Sequence, residues 1–150
     1  MIKILVVGKI KEDYLEDAIK EYEKRLSKYC KLEIIEVKDE AFDEKKTLLK
    51  EKDSIIKYIS EKDYVITMEI EGNELDSVSF ANKLDSIMNT NPNIVFIIGG
   101  SYGLHDDIKK RSNYRLSFSK MTFPHQLFRV ILLEQLFRSF KILNNETYHK

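Results

Sequence analysis

The residues able to do chemistry crowd into the last third of this chain. Ile94 to Ile98 is an unbroken apolar run that delivers the turn Gly99-Gly100-Ser101-Tyr102-Gly103. Tyr114 to Phe118 is a second short run, and it delivers a polar loop, Ser119-Lys120-Met121-Thr122, before Phe123-Pro124 opens a long helix. Glycine lets a ligand approach the backbone without a side chain in the way. Two loops at the ends of two strands, beside a helix start, are where an α/β protein binds a small molecule. All three histidines (His105, His125, His149) lie in this same third.

Several chemistries are excluded. The turn GGSYG lacks the G-x-G-x-x-G spacing of a dinucleotide fingerprint, and no Gly-Lys-Ser/Thr follows it. No serine sits in a nucleophile elbow. Cys30 is the only cysteine, so no intrachain disulfide forms. The histidines are not at metal-ligand spacing, and no metal site is expected. Glu69 and Glu71 read as members of a solvated loop, and Gly8 as structural. Lys109, Lys110, Arg111, Arg115 and Lys120, with Tyr102 and Tyr114 near them, form a basic and aromatic cluster suited to RNA, where cations meet phosphates and rings stack on unpaired bases. Arg138 has Glu134 four residues before it and reads as an intrahelical pair. Arg129 has no such partner and is the better candidate for substrate or interface contact. His149, beside Tyr148, belongs to a polar tail that is either disordered or reaches into a site.

The elements that position these residues alternate between strand and helix. Strands are expected at 2–7, 32–37, 64–70, 94–98 and 114–118. Apolar residues at helical spacing predict helices over 13–29 and 44–60, a third capped by Asp76 or Ser77, a short one near 105–111, and a long one with Pro124 at its first helical position. This alternation argues for an α/β fold, a parallel sheet with helices on both faces, in one domain over 1–150. The final helix is apolar nearly all round and needs cover on two sides. Either it threads the centre of the domain or a second subunit, a homodimer partner, supplies the cover. The net charge is +0, yet residues 1–100 hold 16 Lys and Arg against 21 Asp and Glu, while 101–150 hold 9 against 4. An anionic partner is therefore favoured at the C-terminal end. No apolar run reaches the roughly 18 residues of a membrane span, and MIKILVVGKI reads as a first strand rather than a signal peptide, so a cytoplasmic location is expected.

The segments FIIGGSYGL (96–104), LSFSKMTFPHQLFRVILLEQLFRSF (116–140) and the ending YHK (148–150) resemble the RlmH family of ribosomal RNA large-subunit methyltransferases in the SPOUT superfamily. The resemblance spans essentially the whole chain, although Lys150 stands where many relatives have arginine. It implies an α/β fold with a C-terminal trefoil knot, an exception to the rule against knots. It further implies S-adenosylmethionine as methyl donor and a homodimer. The implied reaction is methylation of N3 of a pseudouridine in helix 69 of 23S rRNA, on assembled 70S ribosomes. Transfer to tRNA, or a ribosome-associated protein without turnover, are the alternatives. Carried onto this chain, the cofactor residues would be Met68, Gly99, Gly100, Phe118, Ser119, Lys120, Met121, Thr122, Phe123 and Pro124. Catalysis would fall to His149 as a base, with Tyr148 and Arg129 as companions, or to cationic residues that stabilise the anion at the neighbouring carbonyls.

Overall fold

The computed structural model describes residues Met1–Lys150. Five strands, β1 (Ile2–Val7), β2 (Leu32–Val37), β3 (Tyr64–Glu74), β4 (Ile94–Ile98) and β5 (Tyr114–Ser117), form one sheet in the order β2-β1-β4-β3-β5. Every pairing is parallel. Five helices alternate with the strands: α1 (Asp13–Leu26), α2 (Glu44–Ile56), α3 (Ser77–Met88), α4 (Asp106–Arg111) and α5 (His125–Leu143).

Both faces of the sheet are covered, so its central strands are apolar on both sides. On one face Ile4, Ile66, Phe96 and Leu116 pack with residues of α1, α3 and α5. On the other, Leu5, Val65, Val95 and Ile97 pack with Ile55 of α2 and Ile108 of α4. β4, buried throughout, separates the two layers. No helix is long and apolar enough to cross a membrane.

Local chemistry sets the element ends. The side chains of Asp43, Asp76 and His105 each accept an N–H of the first turn of α2, α3 and α4. Such caps contribute about 1 kcal/mol each. Where the apolar spacing predicted longer helices, α1 stops at Leu26 and α2 at Ile56, because turns close over 26–30 and 55–59 instead. Pro124 is not the first helical residue. Its ψ of 137° is extended, and it caps α5 through its carbonyl, which accepts the Phe128 N–H at 2.9 Å. β5 ends at Ser117, one residue before the expected Phe118.

β3 departs most from expectation. It runs four residues past Ile70, and Met68 and Asn73 both stand opposite Leu116, so residues 69–72 bulge out of the ladder. A bulge of this kind re-aims side chains beside a site.

α5 packs between α1 and α3 over the sheet. Its outer side keeps Leu127 and Ile131 in a line with Glu134 and Arg138, and Leu127 is 39% exposed.

Candidate active site

A cavity of about 640 Å³ opens at the C-terminal ends of β3, β4 and β5. That is within the range of roughly 300–1,000 Å³ typical of small-molecule sites. Three segments build it. The β3 bulge supplies Met68, Glu69, Ile70 and Glu71. The turn after β4 supplies Gly99, Gly100, Ser101 and Gly103. The stretch after β5 supplies Phe118, Ser119, Met121, Thr122 and Phe123, with His125 and Phe128 from α5.

An aromatic chain runs from the core into the wall. Phe96 meets Phe80 edge to face at 6.3 Å, Phe80 meets Phe118 at 6.1 Å, and Phe118 meets Phe128 at 5.4 Å. Phe123 then stacks on Phe128 at 5.9 Å. Each such pair contributes about 0.5–1.5 kcal/mol beyond area burial, so the wall is rigid where it touches the core. The rim is looser. Met121 is 75% exposed, although its N–H is fixed by the Ser119 hydroxyl at 2.9 Å.

The turn is closed by the Gly103 N–H donating to the Gly100 carbonyl at 3.0 Å. A Cβ on Gly99 would stand 2.7 Å from the Gly103 carbonyl carbon, so only glycine lets the turn fold this tightly.

Glu69 differs from the reading of it as a solvated loop residue, because its side chain is only 8% exposed. Arg115 grips it with two bonds of 2.7 and 2.8 Å, and the Thr67 hydroxyl adds a third at 2.7 Å. Burial pushes its carboxyl up, but these bonds, with the charges of Arg115 and Lys109, outweigh that and hold it below the usual carboxylate range. The β3 bulge turned Glu69 inward, and period-two alternation carries no sign of a bulge.

Of the residues named from the sequence as cofactor contacts, Met68, Gly99, Gly100, Phe118, Ser119, Met121, Thr122 and Phe123 line the cavity, while Lys120 and Pro124 are exposed beside it. The proposed catalytic residues lie elsewhere. Arg129 is 3% exposed, pairs with Glu36 at 2.6 Å and donates to the Gly8 carbonyl at 3.2 Å. Its Nε has no partner. It ties α5 to the ends of β1 and β2, and does not line the cavity. Tyr148 packs edge to face on Phe137 at 5.1 Å and donates to Glu134 at 3.1 Å. The His149 Nδ1 lies 3.0 Å from an Arg138 nitrogen. The tail is thus folded onto α5 around 134–138, whereas the cavity touches that helix at 125 and 128. Six residues of helix are roughly 9 Å of axial rise.

The basic and aromatic cluster is also partly committed within the fold. Arg111 donates to the carbonyls of Ser60 and Asp63, Arg115 is held by Glu69, and Lys83 covers the Tyr114 ring at 3.9 Å. Tyr102, Lys110 and Lys120 remain exposed.

A crevice at strand ends with an enforced glycine turn and an apolar wall is the place where α/β proteins take up small molecules. A family model described as "Predicted SPOUT methyltransferase" matches residues 1–149. The chain is 52% identical over 157 aligned positions to ribosomal RNA large subunit methyltransferase H of Clostridium beijerinckii, covering 99% of both chains. It is 51% identical to the protein of the same name from Clostridium tetani, again over 99% of each. The chain therefore belongs to the SPOUT methyltransferases, and within them to the large-subunit methyltransferase H family. In fold it is similar to a solved "probable methylase family protein" from Haemophilus influenzae, with a TM-score of 0.60 at 13% identity, covering 99% of this chain and 70% of that one.

Proposed function

We propose that this chain is an S-adenosylmethionine-dependent methyltransferase of the large ribosomal subunit, acting as a cytoplasmic homodimer on assembled 70S ribosomes and methylating N3 of a pseudouridine in helix 69 of 23S rRNA. The observation that carries the reading is the cavity built from the glycine turn and the 118–123 stretch, in a chain half identical end to end to proteins of that name.

The cavity fits the cofactor. Met68, Leu116, Phe118 and Phe123 offer an apolar slot for a purine ring, and the open backbone at Gly99 and Gly100 offers N–H and C=O groups to its edge. The bound cofactor supplies an activated methyl on a sulfonium, which needs no metal. Lys120 and Pro124 support the rim from outside.

The N3 proton of the base must leave, and the His149 imidazole is the group assigned to take it. In the fold its Nδ1 is already engaged by Arg138, so the tail must let go of α5 to present that nitrogen. Burial, then the Glu134 carboxylate, pushes the Tyr148 phenol up, which suits a hydrogen-bond donor or a stacking ring rather than a base. Arg129 acts as a positioning residue through Glu36 and Gly8.

Within one chain the tail lies beyond the cavity. A twofold pairing across the outer side of α5, with the two helices crossing head to tail, brings one tail toward the other cavity and covers Leu127 and Ile131. The homodimer would thus complete the site. The test is mass analysis of rRNA fragments after 70S ribosomes lacking the modification are incubated with protein and cofactor. One methyl on a helix 69 pseudouridine is expected, and its absence there overturns the assignment.

A further inference from the structure

Behind the glycine turn, on the side away from the cavity, stands a buried carboxyl. Glu51 of α2 is 3% exposed. Its Oε2 accepts the Glu40 N–H at 3.1 Å, and the Asp39 carboxyl is a near neighbour. Its Oε1 and Oε2 lie 3.0 and 3.3 Å from where a Cβ on Gly100 would be. Gly100 itself lines the cavity, so the carboxyl bears on the back of the wall that a ligand touches from the front.

Other contacts make α2 a brace for this region. The buried Thr47 hydroxyl accepts the Phe42 N–H at 3.0 Å, so the segment after β2 is held by α2 at two points. Lys52, next along the helix, reaches Asp107 at 3.6 Å, on the short helix that follows the glycine turn. A carboxyl in such a place is costly to bury, and an apolar side chain of equal size would fill the space more cheaply. Burial pushes the Glu51 carboxyl up. The Glu40 N–H opposes this, and the Asp39 and Glu40 carboxylates add to it.

We propose that Glu51 is a positioning residue for the cofactor turn: braced by Glu40 and Asp39, it fixes the height of the Gly99-Gly100 backbone against which the cofactor lies. The inference rests on the cavity being the cofactor site. Glu51 touches no ligand. It acts through Gly100, and binding geometry is sensitive to shifts of about 0.5 Å in such a support.

The experiment compares wild type with E51Q, E51M and E51D in affinity for S-adenosylmethionine and S-adenosylhomocysteine, below the unfolding temperature of all four. The glutamine amide keeps an acceptor for Glu40 and gains a donor for Asp39, so E51Q binds within about threefold of wild type. Methionine fills the volume without polar contacts, and E51M binds about tenfold or more weakly while remaining folded. E51D keeps the carboxyl but draws it back by one methylene, and it too weakens binding, which decides the matter where E51M does not fold. A role in packing alone predicts full affinity for folded E51M and E51D, and that result overturns the inference. Wild-type protein that binds neither ligand overturns the cofactor reading and this inference together, which separates the two failures.

Discussion

Replacing Gly99 by alanine isolates the cofactor turn from the rest of the fold. The added Cβ would meet the carbonyl of Gly103, standing 2.7 Å from its carbon and 3.0 Å from Leu104 Cδ2. Ordinary carbon contacts lie at about 3.5–4.0 Å, so the two strands of the turn must part by about 1 Å. Backbone, not a flexible side chain, has to move, and the Gly103 to Gly100 hydrogen bond lies directly in the strained segment. Overpacking of this kind costs about 1–3 kcal/mol. If that strain is borne by the bound geometry, affinity for S-adenosylhomocysteine falls about 5- to 150-fold. Titration calorimetry reads the loss, with thermal unfolding run alongside to show that β4 and its neighbours still fold. Tyr102→Ala, at the exposed tip of the same turn, is the control and leaves cofactor affinity unchanged. Wild-type affinity in Gly99→Ala would refute the placement of the cofactor against this turn.

Four further outcomes are expected. Arg129→Ala strands Glu36 and releases Gly8, lowering stability by roughly 2 kcal/mol, less than a fully buried pair because Glu36 is 37% exposed, and Arg129→Lys recovers little since its single nitrogen lacks the fork that spans the two partners; denaturant unfolding measures both. The Glu69 carboxyl is held below its ordinary value of 4.5, so the stability it contributes is present above that pH and is lost as pH falls through the lower folded value; an acid-unfolding series on Arg115→Gln loses this part of the acid slope. His149→Ala leaves cofactor affinity intact and lowers kcat about 100-fold or more, whereas full turnover in single-turnover assays removes the general-base role. Randomly mixed His149→Ala and Gly99→Ala protomers recover on the order of a quarter of wild-type activity if the tail serves the partner's cavity, and none if it serves its own.

The layered fold was legible because its signals are local and redundant. β2 and β4 stand where their alternating and apolar patterns place them, and of the two candidate caps of α3, Asp76 is the one used. Most of the cavity was legible too, since the glycine turn and the 118–123 stretch are set by short-range chemistry. What was hidden depends on distant partners. Glu69 faces inward only because residues 69–72 leave the ladder opposite Leu116, and nothing in the local pattern marks that register shift. Arg129 finds Glu36 from 93 residues away, so the absence of an i−4 acid said nothing about its partner. The brace formed by Glu51 is invisible for the same reason: Gly100 and α2 meet only after the sheet has formed.

The decisive assay is labelled methyl transfer from S-adenosylmethionine, with 70S ribosomes lacking the modification, isolated large subunits and bulk tRNA offered side by side. Label is expected in large-subunit rRNA, strongest with 70S particles. Label confined to tRNA, or none in any substrate while the cofactor binds, overturns the proposed function.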